Sequence, residues 1–254
     1  MSTLSIVLAT FNEEKNLSDC LESVKKIADE IIIVDGTSSD NTVAIAKKFD
    51  AKVYITTNKP ILHINKQTAI DMASKDWILQ LDADERVTPE LAKEIIATIS
   101  EKDACNGYWI PRKNWFLGRF LMKGGQYPDY TLRLYRKNKG RLPMKDVHEQ
   151  AVVDGKVGYL TSPLIHIADP VFSRYLLRFD RYTTLMAKEY KEKKLGKDPF
   201  SFLKYMLVLP AWWFILTYGR HKGFMDLWQG FVFSFFSSLR FPVSYTKYLI
   251  GKVL

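Results

Sequence analysis

Two short apolar runs that each end on a carboxylate constrain this chain most: Glu30-Ile-Ile-Ile-Val-Asp35 and Trp77-Ile-Leu-Gln-Leu-Asp82. Runs this short, apolar without polar alternation, are buried on both faces, as strands of a parallel sheet are. Leu4-Ser-Ile-Val-Leu-Ala9 is a third such run, and Ala51-Lys-Val-Tyr-Ile55 a further strand. Amphipathic segments lie between them. Asn16–Ala28 carries Leu17, Cys20, Leu21, Val24 and Ala28 at helical spacing. Asn41–Phe49 follows Ser39 or Asp40 as a cap, Lys66–Ser74 is a third helix, and Pro89–Ser100 begins with proline in its first turn. Strands alternating with helices of this length form βαβ units around a mostly parallel sheet. Ligands of such sheets gather at the carboxyl ends of the strands, so Asp35 and Asp82 mark the candidate site.

At 254 residues the chain is one large domain or one domain with an appendage. Met1–Ala9 lacks the basic start of a signal peptide and reads as a strand. Cys20 and Cys105 lie far apart without C-x-x-C spacing, which excludes a disulfide framework or zinc ribbon and reads as an intracellular chain. His63, His148, His166 and His221 show no H-x-x-x-H spacing. There is no G-x-G-x-x-G after a strand, no P-loop and no G-x-S-x-G elbow. Beyond Cys105 the pattern changes to strands at Gly107–Arg112, Tyr130–Arg136 and Val147–Val153.

Three constellations carry chemistry. In Val34-Asp35-Gly36-Thr37-Ser38-Ser39-Asp40-Asn41-Thr42, a strand-end carboxylate beside glycine can take hydrogen bonds from a base edge; the plainer reading is a strand-to-helix turn. In Asp82-Ala83-Asp84-Glu85, two carboxylates at i and i+2 offer oxygen ligands to Mg²⁺ or Mn²⁺, ions that also hold phosphates. In Val147-His148-Glu149, a partly buried Glu can act as a general base; the plainer reading is a surface carboxylate on a half-exposed strand.

The order Ala9-Thr-Phe-Asn-Glu13, Asp35-Gly36, Asn65-Lys-Gln67, Asp82-Ala-Asp84 resembles the family 2 inverting glycosyltransferases over residues 3–170. The branch it looks most like builds lipopolysaccharide core. The resemblance implies a glycosyltransferase A-type (Rossmann-like) α/β fold, with a mostly parallel sheet and flanking helices. It places the nucleotide sugar, a UDP-sugar by family frequency, on Thr10, Phe11, Glu13, Asp35, Gly36, Asp40, Lys66 and Asp82. It gives Mg²⁺ or Mn²⁺ to Asp82 and Asp84, and the base role to Glu149, with Asp129 second. The chain departs from the family in having one acid before Gly36 rather than two, and in lacking the usual Glu-Asp pair. A polyprenyl-phosphate glycosyl synthase and an inactive glycan-binding scaffold are the alternative functions.

Residues 170–254 hold 14 Lys and Arg against 5 Asp and Glu, while residues 1–169 are neutral. The basic part is also rich in aromatics. The division expected is a nucleotide-sugar-binding catalytic domain over 1–169 and a basic, amphipathic, membrane-associating helical segment over 170–254. Met206–Tyr218 carries no charge but falls short of the ~20 residues that span a bilayer. Trp212, Trp213, Trp228 and the lysines instead fit an element lying on anionic lipid. The aromatics sit in apolar runs rather than among Arg and Lys, which argues against nucleic acid. The expected place is the cytoplasmic face of the inner membrane, peripheral or monotopic, with a lipid-linked glycan as acceptor.

Overall fold

A computed structural model describes residues 2–58, 62–143 and 150–251. The chain divides into two compact units, Met1–Arg112 with Asp129–His166, and Lys113–Pro128 with Ile167–Leu254.

The first unit opens with β1 (Leu4–Thr10), α1 (Leu17–Val24), β2 (Glu30–Asp35), α2 (Thr42–Lys48) and β3 (Lys52–Ile55). It continues with α3 (Leu62–Met72), β4 (Trp77–Gln80), β5 (Glu85–Val87) and α4 (Pro89–Ser100). Beyond these come β6 (Gly107–Phe116), β7 (Arg119–Phe120), β8 (Asp129–Arg136), β9 (Gly140–Arg141), β10 (Val152–Val153), β11 (Val157–Tyr159) and β12 (Leu164–Asp169), of which β7 and the last residues of β6 and β12 belong to the second unit. The main sheet runs β3-β2-β1-β4-β8-β6-β12-β5, and β9 pairs with β10 apart from it. Strands β1 to β4 are parallel; β8 lies antiparallel to both β4 and β6. The sheet is therefore mixed. Its parallel half carries the βαβ units expected, and its antiparallel half carries the segments after Cys105.

The continuous apolar runs are explained by two cores. Ile6, Leu8, Ile31, Ile33 and Leu79 face α1 and α4, where Leu17, Leu21, Leu91 and Ile95 are buried. Val7, Ile32, Val34 and Ile78 face Ala69, Ile70 and Ala73. Each strand thus buries alternate residues on opposite faces, as the pleat requires. Thr88 caps α4, its hydroxyl accepting the Leu91 amide, with Pro89 in the first turn.

The second unit contains α5 (Phe172–Glu192), a continuous helix Pro199–Arg220 and a last helix Leu227–Leu249. Phe116, Leu121 and Tyr175 form one core, and Ala187, Tyr245 and Tyr248 another. Buried Asp226 accepts the Lys123 amide at 2.7 Å and lies 3.6 Å from the Arg119 guanidinium, fastening the Lys113–Pro128 segment to the helices. The uncharged 13-residue run belongs to a helix of 22 residues, long and apolar enough by length and composition to cross a membrane. The helix outruns the uncharged stretch because Lys204 and Arg220 lie inside it. It contains two π-helical turns, one of them just before Pro210, which has no N–H to give.

Candidate active site at the strand ends

Asp35 closes β2 and is fully buried. Its carboxylate accepts the Thr10 hydroxyl at 2.8 Å from the end of β1, and the Ser38 amide and hydroxyl at 2.7 and 2.6 Å. The Gly36 amide donates to the Thr10 carbonyl at 2.8 Å. A Cβ at Gly36 would lie 3.1 Å from the Asn58 Cα, so a larger residue would have to push that backbone away.

The loops after β1 and β2 are laced together. The Asn12 amide donates to the Ser38 hydroxyl and the Ser39 amide to the Asn12 side chain, at 2.8 and 2.9 Å. The Glu13 amide reaches the Thr42 hydroxyl at 2.8 Å, and the Glu14 amide reaches Asp40 at 3.1 Å. Burial opposes the charge on Asp40, but hydrogen bonds from the Thr42 hydroxyl and amide and the Glu14 amide outweigh it and lower its pKa. One patch therefore gathers Thr10, Phe11, Glu13, Asp35, Gly36 and Asp40. Within it Thr10 and Asp35 are buried, and the Phe11 ring is exposed.

Residues 82–85 make a tight turn. The Glu85 amide donates to the Asp82 carbonyl, and the Asp82 amide to Glu85 Oε2, both at 2.9 Å. Asp82 Oδ1 pairs with Lys66, and Oδ2 with Arg133 at 2.6 Å. The Arg133 guanidinium also lies 2.9 Å from Glu85 Oε1, and Arg112 lies 3.6 Å from that oxygen. Arg112 in turn donates to Asp129 through Nε and a terminal nitrogen at 3.0 and 2.7 Å. Charges alternate along the series Lys66, Asp82, Arg133, Glu85, Arg112, Asp129. Burial disfavours a charged Asp82, yet Arg133 and Lys66 outweigh it and hold its carboxyl well below the usual range. Burial likewise opposes the charge on Arg133, while Asp82 and Glu85 hold it protonated.

Asp84 is directed elsewhere: its Oδ2 lies 3.6 Å from His166 Nε2. His166 reaches this point because β12 pairs antiparallel with β5, His166 opposite Glu85. Among the described residues no group of three or more His, Cys, Asp or Glu side chains gathers around a metal position. The Asp84 carboxylate fits Mg²⁺ or Mn²⁺ when diphosphate and water complete the coordination, and the His166 imidazole beside it suits Mn²⁺ better than the oxygen-seeking Mg²⁺. Asp129 begins β8 and is held by Arg112. Glu149 and His148 lie outside the described residues.

The sequence reading gave no role to Arg112, Arg133, Glu85 or His166. Arg133 had a signal, a cation inside the apolar strand Thr131-Leu-Arg-Leu-Tyr135, where an unpaired charge would be costly. His166 had none, since its site neighbour is 82 positions away in sequence.

A half-parallel sheet whose acid strand ends and D-x-D turn meet at one edge is a glycosyltransferase A-type architecture. The chain belongs to glycosyl transferase family 2, whose model matches residues 5–164, and it is a glycosyltransferase. It is 30% identical to the lipopolysaccharide core biosynthesis glycosyltransferase LpsC of Rhizobium meliloti, over 93% of this chain and 91% of that protein. An uncharacterized glycosyltransferase of Rickettsia typhi is 29% identical over 91% of this chain and 82% of its own. The fold is also that of S. aureus TarS 1–349, solved in complex with UDP, with TM-score 0.50 and 18% identity over 89% of this chain and 75% of that one.

Proposed function

We propose that this enzyme is a metal-dependent inverting transferase that moves a sugar from a nucleotide sugar, a UDP-sugar first, to a lipid-linked glycan such as lipopolysaccharide core. The observation that carries the reading is the turn at 82–85, where Asp82 is clamped by Lys66 and Arg133 while Asp84 faces His166. The likeness to LpsC supports the acceptor class, and the UDP complex of TarS supports the nucleotide.

In this reading the exposed Phe11 ring, Thr10, Glu13, Asp35 and Asp40 cradle the nucleobase and ribose, with Gly36 allowing close approach. Asp84 and His166 hold Mg²⁺ or Mn²⁺; Asp82 joins them only by releasing Lys66 or Arg133. A bound divalent cation supplies positive charge to the leaving diphosphate. Lys66 and Arg133, fixed by Asp82, add to the positive field on that side. Glu149 takes the proton of the acceptor hydroxyl as its oxygen bonds to the anomeric carbon and the bond to the diphosphate breaks. The displacement is single, so configuration inverts and no covalent sugar–enzyme bond forms. Asp129 is the second choice for the base.

Residues 1–169 form the donor-binding and catalytic part, and residues 170–254 hold the enzyme on an anionic membrane at the cytoplasmic face of the inner membrane, peripheral or monotopic. Transfer from radiolabelled UDP-sugars to rough lipopolysaccharide, with Mn²⁺ and with chelator, tests the reading. Label in the glycan that depends on the metal is the result expected. UDP-sugar hydrolysis without any labelled glycan would overturn the acceptor assignment.

A further inference from the structure

We infer that the first unit carries a saccharide platform, made by Tyr159, Tyr130 and Trp109, which holds one ring of the acceptor glycan. This rests on the reading of the acceptor as a glycan. Three strands bring the rings together. Tyr159 on β11 lies in register with Trp109 on β6, and their rings are 6.4 Å apart and inclined by 19°. Tyr130 on β8, paired with Pro111 of β6, meets Tyr159 at 5.0 Å and 82°.

An aromatic cluster of this kind is ordinarily core. Here Tyr159 is 62% exposed and Tyr130 38% exposed, so the rings fix one another while much of their surface stays open. Such rings lose little rotamer freedom on binding and offer an apolar face with a polar hydroxyl at the edge. A pyranose has the matching shape, with one face of C–H groups and hydroxyls around the rim.

The platform lies beside the catalytic end of the sheet but on its other face. Tyr130 directly follows Asp129, and Trp109 lies three residues before Arg112, about 10 Å along the strand, so the pleat sends the rings to the face opposite the Asp129–Arg112 pair. Asp129 and Arg112 are ion-paired with one another, and Arg112 leads through Glu85 to Arg133 and Asp82. A glycosyltransferase must hold a second carbohydrate beside its donor, and the residues assigned to the donor leave these rings unused. A glycan of several sugars with one ring on this face would pass over the strand ends at Asp129 to reach the ion-paired chain that positions Asp82.

Tyr159→Ala and Tyr130→Ala in the full-length enzyme test this. The acceptors are intact rough lipopolysaccharide and the lipid-free core oligosaccharide released from it by mild acid. Each variant should raise KM for both acceptors roughly tenfold while the donor KM moves less than about twofold, and Tyr159→Phe should restore most of the loss. Saturation-transfer NMR should show the oligosaccharide bound to the wild type and released in Tyr159→Ala. Ile96→Ala, an apolar residue 40% exposed on α4, serves as the control. Unchanged acceptor KM in both tyrosine variants overturns the platform. So does a matching rise in donor and acceptor KM with a lowered thermal midpoint, the mark of a purely structural cluster. Wild-type transfer to intact lipopolysaccharide without any saturation of the oligosaccharide also overturns it, while leaving the acceptor reading standing. Wild type inactive on both acceptors sinks the acceptor reading and the platform together.

Discussion

Glu85 holds Asp82 by two routes at once. One carboxylate oxygen accepts the Asp82 amide at 2.9 Å, and the other fixes Arg133, which reaches the Asp82 carboxylate at 2.6 Å. The glutamate is fully buried. Its removal would leave the Arg133 guanidinium with fewer countercharges and the turn without its clasp. Losing one member of a buried ion pair costs about 3–5 kcal/mol, so Glu85→Ala should lower stability by that order in urea denaturation. Glu85→Gln keeps the amide contact and should lose less stability while still weakening donor binding. Wild-type stability in Glu85→Ala would show that the clasp carries no load.

The metal assignment separates the two aspartates of the turn. Asp84→Asn and His166→Ala should both abolish most turnover while circular dichroism stays that of the folded protein, because each removes a proposed ligand of the ion on the diphosphate. Binding of Mn²⁺ in the presence of UDP, followed by electron paramagnetic resonance, should weaken in both variants. Full activity of Asp84→Asn, with or without chelator, would dismiss the assignment.

The base is a choice between Glu149 and Asp129. General base catalysis contributes roughly 10²–10⁴-fold, so Glu149→Gln should lower kcat by about that factor with donor affinity intact. Asp129 already accepts two hydrogen bonds from Arg112, so its carboxylate is engaged by a side chain of its own sheet. A large kcat loss in Asp129→Asn beside normal Glu149→Gln would transfer the role.

In the parallel half of the sheet the mostly exposed edge strand β3 was legible in the sequence from its short Val-Tyr-Ile run, and β1, β2 and β4 because each is a continuous apolar run buried on both faces. Asp35 and Asp82 were legible for the same reason, as carboxylates that end such runs. The antiparallel half was less so. Strands β5, β7, β9 and β11 have two or three residues each, too few to show a period. The pairing of β12 with β5, which brings His166 to Asp84, is a tertiary contact with no local signature. The ion-paired chain through Arg133 and Arg112 was hidden similarly, since a cation in a strand announces burial and not its partner.

Glu30 gives the fold a pH dependence of known sign. It is buried at the start of β2, where Lys52, the Ser74 amide and hydroxyl and the Ser5 hydroxyl all donate to it. Burial raises its pKa, and these donors outweigh burial and bring it from 4.5 to about 2. A depressed carboxylate stabilises the fold above its unfolded pKa and loses that contribution as pH falls. Stability should therefore decline from about pH 5 towards pH 2, by up to about 3 kcal/mol from this group. Glu30→Gln should be the less stable protein at pH 7, with the gap to wild type closing near pH 2. A constant gap between urea midpoints across that range would exclude Glu30 as the titrating group.

Membrane binding should be partly electrostatic and partly apolar. The basic excess of residues 170–254 supplies the first part, on the order of 1 kcal/mol per Lys or Arg near an anionic surface, screened by salt within about 8–10 Å. The Pro199–Arg220 helix supplies the second, with 6% of its apolar window buried and Phe200, Leu203, Leu207, Trp212 and Ile215 exposed along it. Phe202 and Val208 are exposed as well, so the open apolar surface is a broad stripe that takes in more than one face of the helix. The uncharged stretch 205–219 is about 22 Å long at 1.5 Å per residue, less than the ~30 Å hydrocarbon core, which favours lying in the interface over crossing it. The full-length protein should float with phosphatidylglycerol vesicles at low salt. High salt should release only part of it, and detergent nearly all. Trp212→Glu with Ile215→Glu should make release by salt nearly complete, because the apolar part is then lost. Protein that stays at the bottom of the gradient at low salt would assign the stripe to contacts between copies of the chain and end the membrane reading.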